Sequence, residues 1–86
     1  MNQPRTLDLV EPGECVIVQR LETNGDMRRR FLDLGLIENT PIECIGKSPG
    51  GDPAAYLIRG AVIAIRAKDS HGIIVSSPEG EVRPWV

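Results

Sequence analysis

Few side chains in this sequence could carry chemistry: the single histidine His71, the two cysteines Cys15 and Cys44, the run Arg28-Arg29-Arg30, and Asp52 within the loop P-G-G-D-P at residues 49–53. A metal site needs several nitrogen, sulfur or oxygen ligands that converge. The chain has no C-x-x-C and no H-x-x-x-H. Ferrous iron accepts imidazole with carboxylate, which makes His71 with Asp69 the candidate pair, but two near-adjacent ligands alone make a poor site. Each cysteine stands inside an apolar, strand-like run and reads as a buried thiol kept reduced. With no nucleophile beside the histidine and no activated pair of carboxylates, the reading is that this is not an enzyme.

The stretch G-K-S-P-G-G-D-P-A-A at residues 46–55 must be a loop. Proline lacks an amide donor and fixes its own backbone angle, while glycine reaches left-handed conformations at no steric cost. A phosphate cradle would need the glycines to lead into a helix and be followed by Lys and Ser or Thr. Here Lys47 precedes them and a strand-like segment follows. Two uses are left for Gly51, Asp52 and Pro53: turning the chain, or touching a partner from an exposed loop. Arg28, Arg29 and Arg30 likewise have two readings, a solvated helix face or a docking surface for carboxylates or anionic headgroups. Nucleic acid is not expected, because the formal net charge is −2 and the aromatics are only Phe31, Tyr56 and Trp85.

These side chains need a scaffold. At 86 residues, 41% hydrophobic and 26% charged, the chain has the balance of one folded domain. Its longest apolar run, Ala61 to Ile65, is far short of the ~20 residues that span a bilayer, so no membrane insertion is expected. The N-terminal stretch carries no apolar signal core, and a cytoplasmic location is the expectation. Strands are predicted over residues 15–19, 41–45, 55–59, 62–66 and 72–75, with a tight turn at Gly60-Ala61 and a polar corner at Lys68-Asp69-Ser70. A helix should begin at Asn24 or Asp26, bury Met27, Phe31 and Leu34 on one stripe, and end at Gly35 in a left-handed cap. Short strands separated by turns predict a mainly β fold, a small antiparallel sheet curling into a barrel with one or two short helices. Residues 76–86 read as a tail that is either frayed or laid along the barrel by Trp85.

Taken in order, Arg30-Phe31-Leu32-Asp33-Leu34-Gly35-Leu36, Gly51-Asp52-Pro53, Arg59-Gly60, Ile65-Arg66 and Ile73-Ile74-Val75 resemble the FeoA family over roughly residues 6 to 75. The resemblance implies an SH3-like barrel over residues 1–75, located in the cytoplasm and associated with FeoB, the membrane GTPase-transporter of bacterial ferrous iron uptake. It implies iron through the partner, not through any ligand set in this chain. One departure stands out: where the family has a P-G turn after L-G-L, this chain has Glu38-Asn39, and Asn is among the residues that tolerate a left-handed backbone. The expected contact surface comprises Arg28, Arg29 and Arg30, the apolar Leu32 and Leu36 near the helix end, and the loop residues Gly51, Asp52 and Pro53. The same fold forms the C-terminal domain of repressors resembling the diphtheria-toxin repressor, so a metal-responsive regulatory domain using His71 and a carboxylate is the alternative.

Overall fold

Strand alternation builds the sheet. In a computed structural model that describes residues 3–80 and residue 84, β2 (Cys15–Leu21) buries Val16 and Val18 in alternation and, beyond an irregularity before Arg20, packs Leu21 against the core. The same period of two makes β3 (Pro41–Lys47) bury Ile42 and Cys44, and β4 (Ala54–Ile58) bury Ala54, Tyr56 and Ile58. With β1 (Arg5–Thr6), β5 (Ala61–Ile65) and β6 (Ile73–Ser76) they form one six-stranded sheet in the order β1-β6-β2-β3-β4-β5. Every pairing is antiparallel. Register shifts occur between Val18 and Arg20 and between Cys44 and Gly46, and such bulges bend strands around a core.

The fold is mainly β and SH3-like, as expected, but the sheet stays open, with β1 and β5 as its two edges. A 3-10 turn at Leu7–Leu9 closes one end, where Leu7 and Val10 are fully buried and the Tyr56 hydroxyl donates to the Leu7 carbonyl at 3.5 Å. The five predicted strands appear as β2 to β6 within a few residues of their predicted limits, while the short β1 was not predicted. The Lys68-Asp69-Ser70 corner is a single helical turn, α2 (Ala67–Ser70). Strand β6 includes Ser76, and Pro84 is buried with its carbonyl accepting the Gly60 amide at 3.0 Å. Trp85 lies outside the described residues. Among the described residues no helix is long and apolar enough to cross a membrane.

Helix α1 (Gly25–Asp33) has nine residues, too few to hold together alone in water. Packing supports it: Phe31 is buried, and Met27 and Leu34 lie against the core. Asn24 takes the N-cap position, yet its side chain makes no capping bond. Gly25 opens the helix at φ +61, outside the right-handed region, and the expected cap geometry is not reached. The C-terminus follows expectation closely. Gly35 is left-handed at φ +90, its amide donates to Leu32 O and the Leu36 amide to Phe31 O, each at 3.0 Å, and Phe31 meets Leu36 in the core. This is the double bond pattern of a Schellman cap. Asn39 takes φ +74, so the P-G departure keeps the left-handed turn.

Arg59, expected as the last residue of a strand, lies in the turn instead, and the tight turn expected at Gly60-Ala61 falls one residue earlier. It sits in the β4–β5 turn with φ +50, followed by Gly60 at φ +82, the two left-handed residues of a tight hairpin. From there its Nε donates to the Gly35 carbonyl at 3.1 Å and its Nη2 to Thr40 Oγ1 at 3.4 Å. Buried Thr40 donates its hydroxyl to the same Gly35 carbonyl at 2.9 Å. A Cβ on Gly35 would stand 2.5 Å from Arg59 Nε.

Gly35→Ala should therefore lower the unfolding free energy by about 1–3 kcal/mol, from left-handed strain and displacement of Arg59. Urea denaturation checks this, and an unchanged midpoint would contradict it. Tyr56, the only tyrosine, has 1% of its surface exposed, and burial pushes its phenol up to about 12. The folded state thus holds a proton that the unfolded chain releases near the ordinary value of 10, and stability falls as pH rises above that value. Phenolate absorbance should appear together with unfolding; ionisation near pH 10 in the intact fold would refute the packing around Tyr56.

Candidate docking cleft beside an edge strand

Two alternating patterns face each other across the open end of the sheet. On α1 the spacing i, i+4, i+7 turns Met27, Phe31 and Leu34 toward the sheet, while the period of β5 turns Ile63 and Ile65 toward the helix. They do not fill the space between them. A cleft of about 200 Å³ remains, bounded by α1, β5 and α2. Arg30 and Arg66, both exposed, border it together with half-buried Asp69. Neither arginine makes an ion pair among the described residues. The cleft sets apolar side chains behind a mostly polar accessible lining, with two guanidiniums that form no ion pair among the described residues, an arrangement suited to a chain segment carrying carboxylates.

The three arginines of α1 differ in setting. Arg30 borders the cleft, Arg29 is exposed, and Arg28 folds back so that its Nη1 donates to the Leu21 carbonyl at 3.2 Å. Leu32 is 42% exposed beside Ile37 at 51%, so the helix end does present apolar surface. Leu36 does not. Its side chain is wholly buried because the helix cap folds it back onto Phe31, which corrects the expectation that it is exposed.

The glycine-rich loop turns on its own backbone. The Gly51 amide donates to Ser48 O at 2.7 Å with Gly51 at φ +87, and the Ser48 amide donates to Pro53 O at 3.0 Å. Gly51 and Asp52 are exposed, and Pro53 is half-buried. Asp52 Oδ1 accepts the Ala67 amide at 2.8 Å. This carboxylate thereby fastens the loop to the first residue of α2, next to Arg66.

His71 and Asp69 are not brought together as a ligand pair. His71 Nδ1 lies 3.3 Å from Asp8 Oδ2, sixty-three residues away in sequence, while Asp69 borders the cleft. Among the described residues no three potential ligands of the His, Cys, Asp or Glu type converge. Cys44 is buried and Cys15 half-buried, and desolvation raises both thiols, which makes them poor nucleophiles near neutral pH.

Two structural ion pairs were not legible in the sequence. Arg5 holds Glu14 by two bonds at 2.7 and 3.3 Å, which keeps the Glu14 carboxyl below its usual range, and Lys47 reaches Glu11 at 3.2 Å. The roles of Ile63, Arg66 and Asp69 in the cleft were also missed. The β5 alternation marks Ile63 as inward-facing, but only the topology shows that it meets α1.

Known structures share this fold. The NMR structure of a FeoA-like protein from Clostridium acetobutylicum has 29% sequence identity and a TM-score of 0.82, covering 96% of this chain and 96% of that one. A zinc complex of FeoA from Stenotrophomonas maltophilia, described as a prokaryotic SH3 domain protein, is 22% identical with a TM-score of 0.74, covering 81% of this chain and 87% of that one. A manganese-dependent transcriptional repressor shares the fold at 18% identity and a TM-score of 0.79, over 91% of this chain and 44% of its own. No curated protein is significantly similar in sequence. The model of the FeoA domain matches residues 5–77, nearly the whole of the sheet and both helices, and the chain belongs to the FeoA family.

Proposed function

We propose that this chain is a non-enzymatic accessory protein of ferrous iron transport that docks on the cytoplasmic region of a FeoB-type transporter and modulates it by contact. The observation that carries the reading is the cleft between α1 and β5, backed by Met27, Phe31, Leu34 and Ile63 and bordered by Arg30 and Arg66, which form no ion pair among the described residues. Family membership supports the transport context, and the Stenotrophomonas protein has itself been put forward as a ferrous iron transport activating factor. On this reading the chain works in the cytoplasm, where the transporter's soluble region lies.

The contact surface centres on Arg30 and extends to Arg28, Arg29 and exposed Leu32. The loop of Gly51, Asp52 and Pro53 takes part at its exposed tip, with Asp52 holding α2 in place. Leu36 acts from beneath by fixing the helix end. Modulation by contact requires that the chain bind one conformation of the transporter more tightly than another, since equal affinity for both would shift nothing.

Capture of the purified cytoplasmic region of the transporter tests the reading. Wild type should bind, and R28E/R29E/R30E should lose about tenfold or more in affinity through repulsion of acidic groups on the partner. Equal thermal stability of the variant would show that the fold is intact. Undiminished capture would remove the arginines from the surface, and no capture by wild type would overturn the proposal.

A further inference from the structure

The two edges of the sheet are unlike. Strand β1 is only two residues long, whereas β5 is five residues, Ala61-Val62-Ile63-Ala64-Ile65. Exposed edges invite pairing with other chains, and soluble proteins protect them with charge, proline, bulges or brevity. Strand β5 has none of these: it carries no charge and no proline, and its register with β4 is unbroken from Ala61 to Ile65.

The register also says which amides have no strand partner among the described residues. Across the two-residue turn, Ile58 and Ala61 form a hydrogen-bonded pair, so the bonded positions alternate and Ala61, Ile63 and Ile65 face β4. Val62 and Ala64 point their N–H and C=O groups the other way. Both residues are exposed, and Ala64 lines the cleft opposite α1. A strand laid there would pair with those groups and turn alternate side chains toward Phe31 and Leu34. Arg30 and Arg66 border the same space, where Asp69 is the only carboxylate among the described residues that line it, and Lys68 is exposed nearby in α2.

We infer that the edge of β5 left unpaired among the described residues takes up an acidic segment of a partner protein as an added strand, its backbone bonded to Val62 and Ala64 and its carboxylates held by Arg30 and Arg66. This deepens the docking reading and rests on it only for the identity of the protein that supplies the segment. Binding by strand addition draws affinity from the main chain and selectivity from the charges.

Nitrogen–proton correlation spectra of the full 86-residue chain, titrated with a short end-blocked alternating Glu–Val peptide and with its Lys–Val counterpart, test this. The Glu–Val peptide should shift the Val62 and Ala64 amides and slow their exchange with solvent. R30E/R66E should weaken it roughly tenfold, and the Lys–Val peptide should not bind. Silent Val62 and Ala64 amides, equal binding of both peptides, or no binding would overturn the inference. So would a dimer in sedimentation whose Val62 and Ala64 amides are protected without peptide, because a second copy would then own the edge. Capture of the transporter region separates the two claims. If wild type captures it while the Glu–Val peptide leaves the Val62 and Ala64 amides silent, the edge inference fails alone; if the peptide binds β5 while wild type captures nothing, the docking reading fails alone.

Discussion

One carbonyl oxygen fixes how the helix meets the sheet. Gly35 O accepts from the Thr40 hydroxyl at 2.9 Å and from Arg59 Nε at 3.1 Å, so it joins the end of α1, the start of β3 and the β4–β5 turn. A guanidinium bond to a carbonyl is charge-assisted and directional, and the glycine leaves no room for another side chain at that point. The short helix has little stability of its own. Its orientation comes from this junction and from Phe31 and Leu36 packed beneath it. Both left-handed residues of the hairpin, Arg59 and Gly60, are needed to aim Arg59 back across the molecule.

The cleft follows from that geometry. The junction holds the C-terminal end of α1 against the β4–β5 hairpin, and farther along the same helix Met27 and Arg30 stand across open space from β5. Strand β5 is left with one side paired and the other facing the helix. Its far end is set separately: Asp52 receives the Ala67 amide and so places Arg66 at the cleft. The glycine-rich loop therefore serves the site as a brace. On the proposed reading, a partner segment is recognised by surfaces that three different parts of the chain hold in register.

Much of this was readable from residue order, because local rules governed it. The stripe of Met27, Phe31 and Leu34, the left-handed Gly35, the tolerance of Asn39 and the alternation of the strands all depend on neighbours a few residues away, and all appear as expected. The failures share a different cause. Leu36 was expected to be exposed because it follows the helix, but the cap turns it inward. Arg59 was read as the last residue of a strand, because nothing local reveals that it opens the turn and has Gly35 within its reach. His71 was matched with its sequence neighbour Asp69, whereas the fold sets it beside Asp8 from the first turn. A long side chain chooses among partners by three-dimensional proximity, and proximity across a sheet is set by topology.

The central claim is that the chain acts through the β5 edge and the arginines beside it, with the remainder of the fold serving to hold them. Hydrogen–deuterium exchange of the chain, alone and saturated with the transporter's cytoplasmic region, tests it most directly. The account predicts added protection over Ala61–Ile65 and on α1, with the β1 and β2 amides unchanged. Protection confined to β1, β2 or the Leu7–Leu9 turn, with β5 exchanging as freely as before, would contradict it.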